Sequence, residues 1–173
     1  MLTVEQTISA ATRVLFGKPL VTNVYRAVIV EAIVDAALSD WSWCSADYAS
    51  CDFKHPDGRR LEVKQSALKQ SWESARVSVP SWDIKPRTGY WKDGVEWISQ
   101  PGRNADIYVF ALHTVTDDTA DHRDSYQWVF YVVPTKALPN TKRLSLAALK
   151  KIAQPVPVQQ LAQSVETHTA LGF

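Results

Sequence analysis

The sequence predicts a single α+β domain, a mixed β-sheet flanked by helices in an α/β sandwich-like arrangement. Three observations lead there. Two helical patterns open the chain, over residues 2–16 and 22–38. A hairpin signal spans residues 50–65. Two strongly apolar runs, residues 106–113 and 126–133, are separated by an acidic turn and form a natural antiparallel pair. The expected element order is α-α-β-β-β-α-β-β-α, within one domain over residues 1–173. Its core covers about residues 20–133, and a helical extension covers about 140–173.

In the first helix Val4, Ile8, Ala11 and Leu15 recur at helical spacing, and Thr3 with Gln6 is placed as a capping box. Gly17-Lys18-Pro19 ends it. The second helix, capped by Thr22, is apolar almost all round, the pattern of a buried helix. Glu31 and Asp35 sit on it beside Val24, Val28 and Leu38, and an acid among aliphatic side chains needs a partner. The tryptophan-rich stretch 40–49 holds the first strand. Residues 66–74 read as a short helix that begins where the second arm of the hairpin ends. Residues 75–104 carry three prolines, three glycines and three tryptophans and read as a long loop, with an edge strand over 77–82. The run 106–113 is apolar enough for a central strand. Ser145 caps a helix over 145–153, and after Pro155 and Pro157 the stretch 158–165 is weakly helical.

The hairpin carries the chemistry. His55-Pro56-Asp57-Gly58 is a type I turn closed by a left-handed glycine, which pairs His55 with Arg59. Counting outward, Lys54 faces Arg60, Phe53 faces Leu61, Asp52 faces Glu62, Cys51 faces Val63 and Ser50 faces Lys64. One face is then apolar and the other charged. In that register the Asp52 and Glu62 β-carbons would stand ~5 Å apart, where two bare carboxylates repel unless positive charge lies between them. A divalent cation and the Lys64 ammonium would supply it.

Bulk properties exclude several classes. With 46% hydrophobic and 21% charged residues the chain is not disordered, and no apolar run approaches the ~20 residues of a membrane helix. No secretory signal is seen, which makes the cytoplasm the expected compartment, and Cys44 and Cys51 are expected as free thiols. Charge is uneven: residues 1–53 hold 3 Lys/Arg against 6 Asp/Glu, residues 54–103 hold 10 against 6, and residues 104–173 hold 6 against 6. The positive excess follows the hairpin, as a phosphate-bearing substrate would require. The four histidines have no zinc spacing with one another or with the cysteines. There is no nucleophile elbow, phosphate-binding glycine loop or dinucleotide fingerprint.

Asp52, then after nine residues Glu62-Val63-Lys64, preceded by a helix acid, resembles the PD-(D/E)XK superfamily of restriction-endonuclease-like nucleases. Residues 62–72 and 103–110 are similar to uncharacterised bacterial members, and the resemblance covers roughly residues 20–133. Cys51 stands where many members have proline. The resemblance implies a restriction-endonuclease-like mixed sheet and a metal-dependent endonuclease that hydrolyses DNA phosphodiester bonds. It also implies Mg²⁺, with Mn²⁺ as a substitute, held by Asp52, Glu62 and the Val63 carbonyl. Lys64 would position or deprotonate the attacking water, and Glu31 would reach the metal through water or hold a second ion. Gln65 is expected beside metal-bound water, with Gln70 a weaker candidate.

Arg59, Arg60, Lys69, Gln70, Arg76, Arg87, Lys92 and Arg103, with Lys85 and interleaved with Trp72, Trp82, Trp91 and Trp97, are expected to line a nucleic-acid-binding rim. Partners follow: nucleic acid, DNA rather than RNA, a homodimer or docking onto a larger defence or repair complex, and no membrane. Blander readings stand beside these. The charged hairpin face can be solvated, Glu31 can pair with Arg13 or Arg26, Gln65 can be a helix cap, and tryptophans are commonly core anchors. The alternative function is a non-catalytic nucleic-acid- or protein-binding domain that keeps the nuclease fold.

Overall fold

The computed structural model describes residues 2–44, 49–72, 78–92 and 94–170 of the chain. Helix α1 (Val4–Phe16) begins at the capping box the sequence predicts: the Thr3 hydroxyl accepts from the Gln6 N–H, and the Gln6 side chain accepts from the Thr3 N–H. None of its residues is buried. Helix α2 (Arg26–Ala37) starts later than predicted. The Thr22 hydroxyl accepts from the N–H groups of Val24 and Tyr25, so it holds a turn before the helix instead of capping it.

Strands β1 (Ser42–Trp43), β2 (Phe53–Lys54) and β3 (Arg60–Ala67) come next. They precede three short strands, β4 (Ser81–Asp83), β5 (Tyr90–Lys92) and β6 (Glu96–Ile98). Two long strands, β7 (Ile107–His113) and β8 (Trp128–Pro134), then β9 (Arg143–Ser145), lead to helices α3 (Leu146–Leu149) and α4 (Leu161–Ala170).

The fold is mixed α+β, a five-stranded sheet of order β1-β2-β3-β7-β8 with four helices among the described residues. β3 and β7 run parallel and every other pair in this sheet is antiparallel. Leu61, Val63, Val109, Phe130 and Val132 pack under Val30 and Val34 of α2 and Leu161 and Val165 of α4. The opposite face, with Tyr108, Phe110 and Tyr131, packs against Trp82, Ile84, Leu144 and Leu149. Each fully buried large side chain contributes roughly 1.5–3 kcal/mol, so both clusters matter to stability. Leu61 and Val63 alternate with Glu62 and Lys64 along β3. Burying the first pair under α2 therefore turns the second pair to the other face.

The helix predicted over residues 66–74 does not form in its described part. Ser66 and Ala67 instead end β3, opposite Leu112 and His113, and the Leu68 N–H donates to the His113 carbonyl at 3.1 Å. Pairing with a distant strand uses the backbone groups that a helix would need, and local pattern does not register that partner. Residues 73 and 74 lie outside the described residues. The edge strand expected over 77–82 is met by β4 at Ser81–Asp83, which pairs with β9; residue 77 lies outside the described residues, and the rest of the stretch read as a loop contains the β5–β6 hairpin. In place of the single strand–helix–strand run expected between 62 and 113, β4, β5 and β6 intervene. The C-terminal helices also shift: Ser145 caps the shorter α3, and α4 begins at Leu161 after a 3-10 turn at Val158–Gln160. Among the described residues no helix is long and apolar enough to cross a membrane.

Candidate functional site

Gly58 takes φ +96°, the left-handed conformation that the three-residue turn needs. Its N–H donates to the His55 carbonyl, and the His55 N–H donates to the Arg59 carbonyl, each at 2.9 Å. Lys54 faces Arg60 and Phe53 faces Leu61, as the turn predicts. The ladder then stops. The Asp52 N–H donates to the Leu61 carbonyl at 3.0 Å, and the Asp52 carboxylate accepts the Val63 N–H at 2.6 Å. That carboxylate takes the donor a ladder partner would have used, so the expected rungs Asp52–Glu62, Cys51–Val63 and Ser50–Lys64 are not formed.

Glu62 is only 4% exposed. Its Oε1 accepts from Lys64 Nζ at 2.6 Å and from Arg87 Nη2 at 3.2 Å, the compensation a buried carboxylate requires. The two residues stand two positions apart on β3, whose period of two places them on one face. Arg87 reaches the same oxygen from the segment between β4 and β5. Tyr108 faces Glu62 across the parallel ladder, and burial, then the charge of Glu62, push its phenol up to about 12. Burial likewise pushes Asp52 up to about 7, with Glu62 adding to the effect and the Val63 N–H opposing it.

Glu31, on α2, accepts from Trp43 Nε1 at 2.9 Å. Trp43, rather than Arg13 or Arg26, is therefore its partner. Burial raises the Glu31 pKa, the Trp43 hydrogen bond lowers it, and Glu62 and Lys64 act in opposite senses. The structure thus brings Asp52, Glu62, Lys64 and Glu31 within electrostatic reach of one another. Among the described residues, however, no three His, Cys, Asp or Glu side chains converge as a metal-ligating group.

Gln65 departs from the expected set. Alternation along β3 separates it from Glu62 and Lys64, and its side chain accepts from Arg26 Nε. Arg26 also donates to Asn23 at 2.9 Å and to Gln70 at 3.5 Å, and Gln70 donates to the Ala67 carbonyl at 2.8 Å. Arg26 therefore ties both glutamines to the start of α2.

The predicted rim divides in the same way. Arg103 donates to the carbonyls of Ile84, Pro139 and Thr141 at 2.8, 2.9 and 3.1 Å, so its guanidinium is a clasp between loops. Trp82 is a core residue at 2% exposure. Arg59 pairs with Asp57 at 2.6 Å and lies over the Trp41 ring. The Arg60 main-chain N–H donates to Asp106 at 2.8 Å and its Nε lies 3.9 Å from the same carboxylate oxygen, and Lys69 bonds the Asp117 carbonyl at 2.6 Å and Asp118 at 3.0 Å. Lys92 faces Glu96 in the β5–β6 hairpin. Arg76 lies outside the described residues. Of the rim candidates, Arg87 is the one that touches Glu62.

Glu62 and Lys64 open onto a cavity of about 580 Å³ whose other walls include Lys85, Arg87, Tyr90, Trp91, Trp97 and Tyr108. Asp52 and Glu31 do not line it. Sequence reasoning missed Trp43 and Tyr108, and it named Arg26 only as a partner for Glu31, not for Gln65 and Gln70. A hydroxyl-bearing aromatic inside the apolar run 106–113 was a usable signal for Tyr108, whereas nothing local marks Trp43 or the glutamine contacts of Arg26. Compared with known proteins, the chain matches no family model and no curated protein.

Proposed function

We propose that the chain is a metal-dependent phosphodiesterase of the PD-(D/E)XK, restriction-endonuclease-like class that cleaves DNA. The observation that supports this reading best is the buried Glu62 carboxylate held by Lys64 Nζ at 2.6 Å, beside an Asp52 whose carboxylate is pushed up to about 7. The charge of Glu62 helps to raise Asp52, so ionising both acids costs stability, and a hard divalent cation would offset that cost. The donor chemistry fits such an ion, Mg²⁺ or Mn²⁺, with Asp52, Glu62 and the Val63 carbonyl as its protein oxygens and Glu31 at a second remove. When bound, the ion would lower the pKa of a water and balance charge on the phosphate.

The residues of the chain would do the rest. The Lys64 ammonium, next to Glu62, would hold the attacking water by hydrogen bonding and donate to a phosphate oxygen as charge grows there. Arg87, at the cavity wall, would fix the phosphate by two parallel N–H donors. A cytoplasmic location belongs to this reading, as does assembly into a homodimer or onto a larger complex. The exposed apolar side chains Val4, Ile8 and Val14 of α1 support such docking.

Plasmid and linear DNA incubated with Mg²⁺ or Mn²⁺ test the proposal. Cleavage is expected, falling by about a hundredfold or more in Asp52→Ala and Lys64→Ala. Undiminished cleavage in either variant overturns the assignment. One observation favours a second reading, a non-catalytic binding domain of the same fold: Glu62 already has two cationic partners, Lys64 and Arg87. Calorimetry that detects no divalent-ion binding would put that reading first.

A further inference from the structure

The β5–β6 hairpin leaves two large aromatic side chains half exposed. Trp91 and Trp97 face each other across the strands, ring centroids 5.6 Å apart and 65° edge-on, yet they remain 40% and 47% exposed. Both line the cavity onto which Glu62 and Lys64 open. The backbone at Gly89 makes room for one of them. A β-carbon built there would lie 2.2 Å from the Ile98 carbonyl oxygen and 2.7 Å from the Trp97 indole, so glycine lets the backbone approach Ile98 and the indole lie beside it. Lys64, Lys85 and Arg87 share the cavity with Tyr90 and the two tryptophans. Its volume, about 580 Å³, falls within the ~300–1,000 Å³ of pockets that take a small organic ligand.

Flat aromatic faces beside clustered cations match the two halves of a nucleotide. Bases stack on aromatic rings with little regard to sequence, while Lys and Arg take the phosphate. Bases in a duplex offer their faces only to one another, so a ring can reach one only where the strand is unpaired.

We propose that this cavity receives one unpaired nucleotide, its base against Trp91 and Trp97 and its phosphate toward Lys64, Lys85 and Arg87. The substrate class is then a single strand, a frayed end or a flipped-out base. Placing the phosphate toward Lys64 rests on the phosphodiesterase reading, whereas the stacking of the base does not. DNA and RNA strands share the chemistry, and separate oligonucleotides distinguish them.

The test is fluorescence anisotropy of end-labelled oligo-dT, oligo-U and a duplex of equal length, with EDTA present so that binding is measured without cleavage. The expected result is single-strand binding at least about tenfold tighter than duplex binding. Trp91→Ala and Trp97→Ala should each weaken it about tenfold, and Trp91→Phe should restore most of it. Preference for one oligonucleotide identifies the source and supports the proposal. Equal affinity for duplex and single strand, or affinities unchanged in both alanine variants while circular dichroism shows the fold intact, overturns it without touching the cleavage experiment. Tryptophan-dependent binding with no cleavage in Mg²⁺ leaves this inference standing and removes the nuclease reading.

Discussion

Arg87 Nη2 stands 3.2 Å from Glu62 Oε1, the same oxygen that Lys64 Nζ holds at 2.6 Å, although 25 positions separate Arg87 from Glu62 in sequence. Arg87 is half exposed and Glu62 is buried, so the arginine is the replaceable member of the trio. Arg87→Ala should leave stability within about 1 kcal/mol, because an exposed partner contributes little. DNA affinity should fall and its logarithmic salt dependence should become shallower by about one, the signature of one lost phosphate contact. Binding titrations at several salt concentrations check this, and an unchanged slope would confine Arg87 to an internal ion pair.

Asp52 strains the folded state at the pH where the site would act. A carboxylate whose folded pKa is raised stabilises the fold most when protonated, and that stability declines as pH climbs from the unfolded value near 4 to about 7. Asp52→Asn imitates the protonated acid and can still accept the Val63 N–H. It should therefore raise the melting temperature at pH 8 in EDTA, by a free energy on the order of 2 kcal/mol, with the gain shrinking toward pH 4. Thermal melts at both pH values measure it.

Arg103 is a structural clasp between loops. It donates to three main-chain carbonyls in two loops, and leaving these acceptors without their charged donor should cost roughly 1–3 kcal/mol. Arg103→Ala should lower the urea midpoint while the affinity for nucleic acid, measured below that midpoint, stays unchanged. Lys at this position should fail to rescue, since it lacks the fork that spans separate acceptors.

His113, the last residue of β7, and His122, in the segment between β7 and β8, form a buried pair with ring centroids 4.7 Å apart. His122 accepts the Thr22 N–H at 3.2 Å, and burial, helped by His113 and Arg26, pushes its pKa down to about 4. Burial lowers His113 as well. A histidine depressed on folding contributes its stability fully above the unfolded value near 6.5, and loses it as pH falls toward the folded value. Stability should therefore drop between about pH 6.5 and 4, by roughly 3 kcal/mol for His122. Urea melts across that range should show a flatter profile for His122→Asn, whose amide oxygen can still accept the Thr22 N–H.

Local chemistry made much of this molecule readable. The α1 capping box and the hairpin turn at Gly58 are each completed within four residues, so neighbouring side chains carry their whole signal. Alternation along β3 put Glu62 and Lys64 on one face for the same reason, and the pattern of α2 marked Glu31 as an acid in need of a partner. The helix expected after β3 was the cost of reading locally: Ala67, Leu68, Lys69 and Gln70 are good helix formers, but β7 claims the backbone of Ser66 and Ala67.

What the sequence alone determined is therefore the short-range geometry: caps, the turn, the apolar faces, and two charged residues of the site in register. Only the tertiary structure decided that Asp52 bonds the Val63 N–H instead of facing Glu62, that Trp43 satisfies Glu31, and that Arg87 rather than Arg103 approaches the carboxylate. These contacts join groups 11 to 25 positions apart, or answer a parallel pairing between β3 and β7 that spans 46 positions from Leu61 to Ile107. Contacts at that range form when buried surfaces close on one another, and their energy belongs to the packed whole, not to any window of the chain.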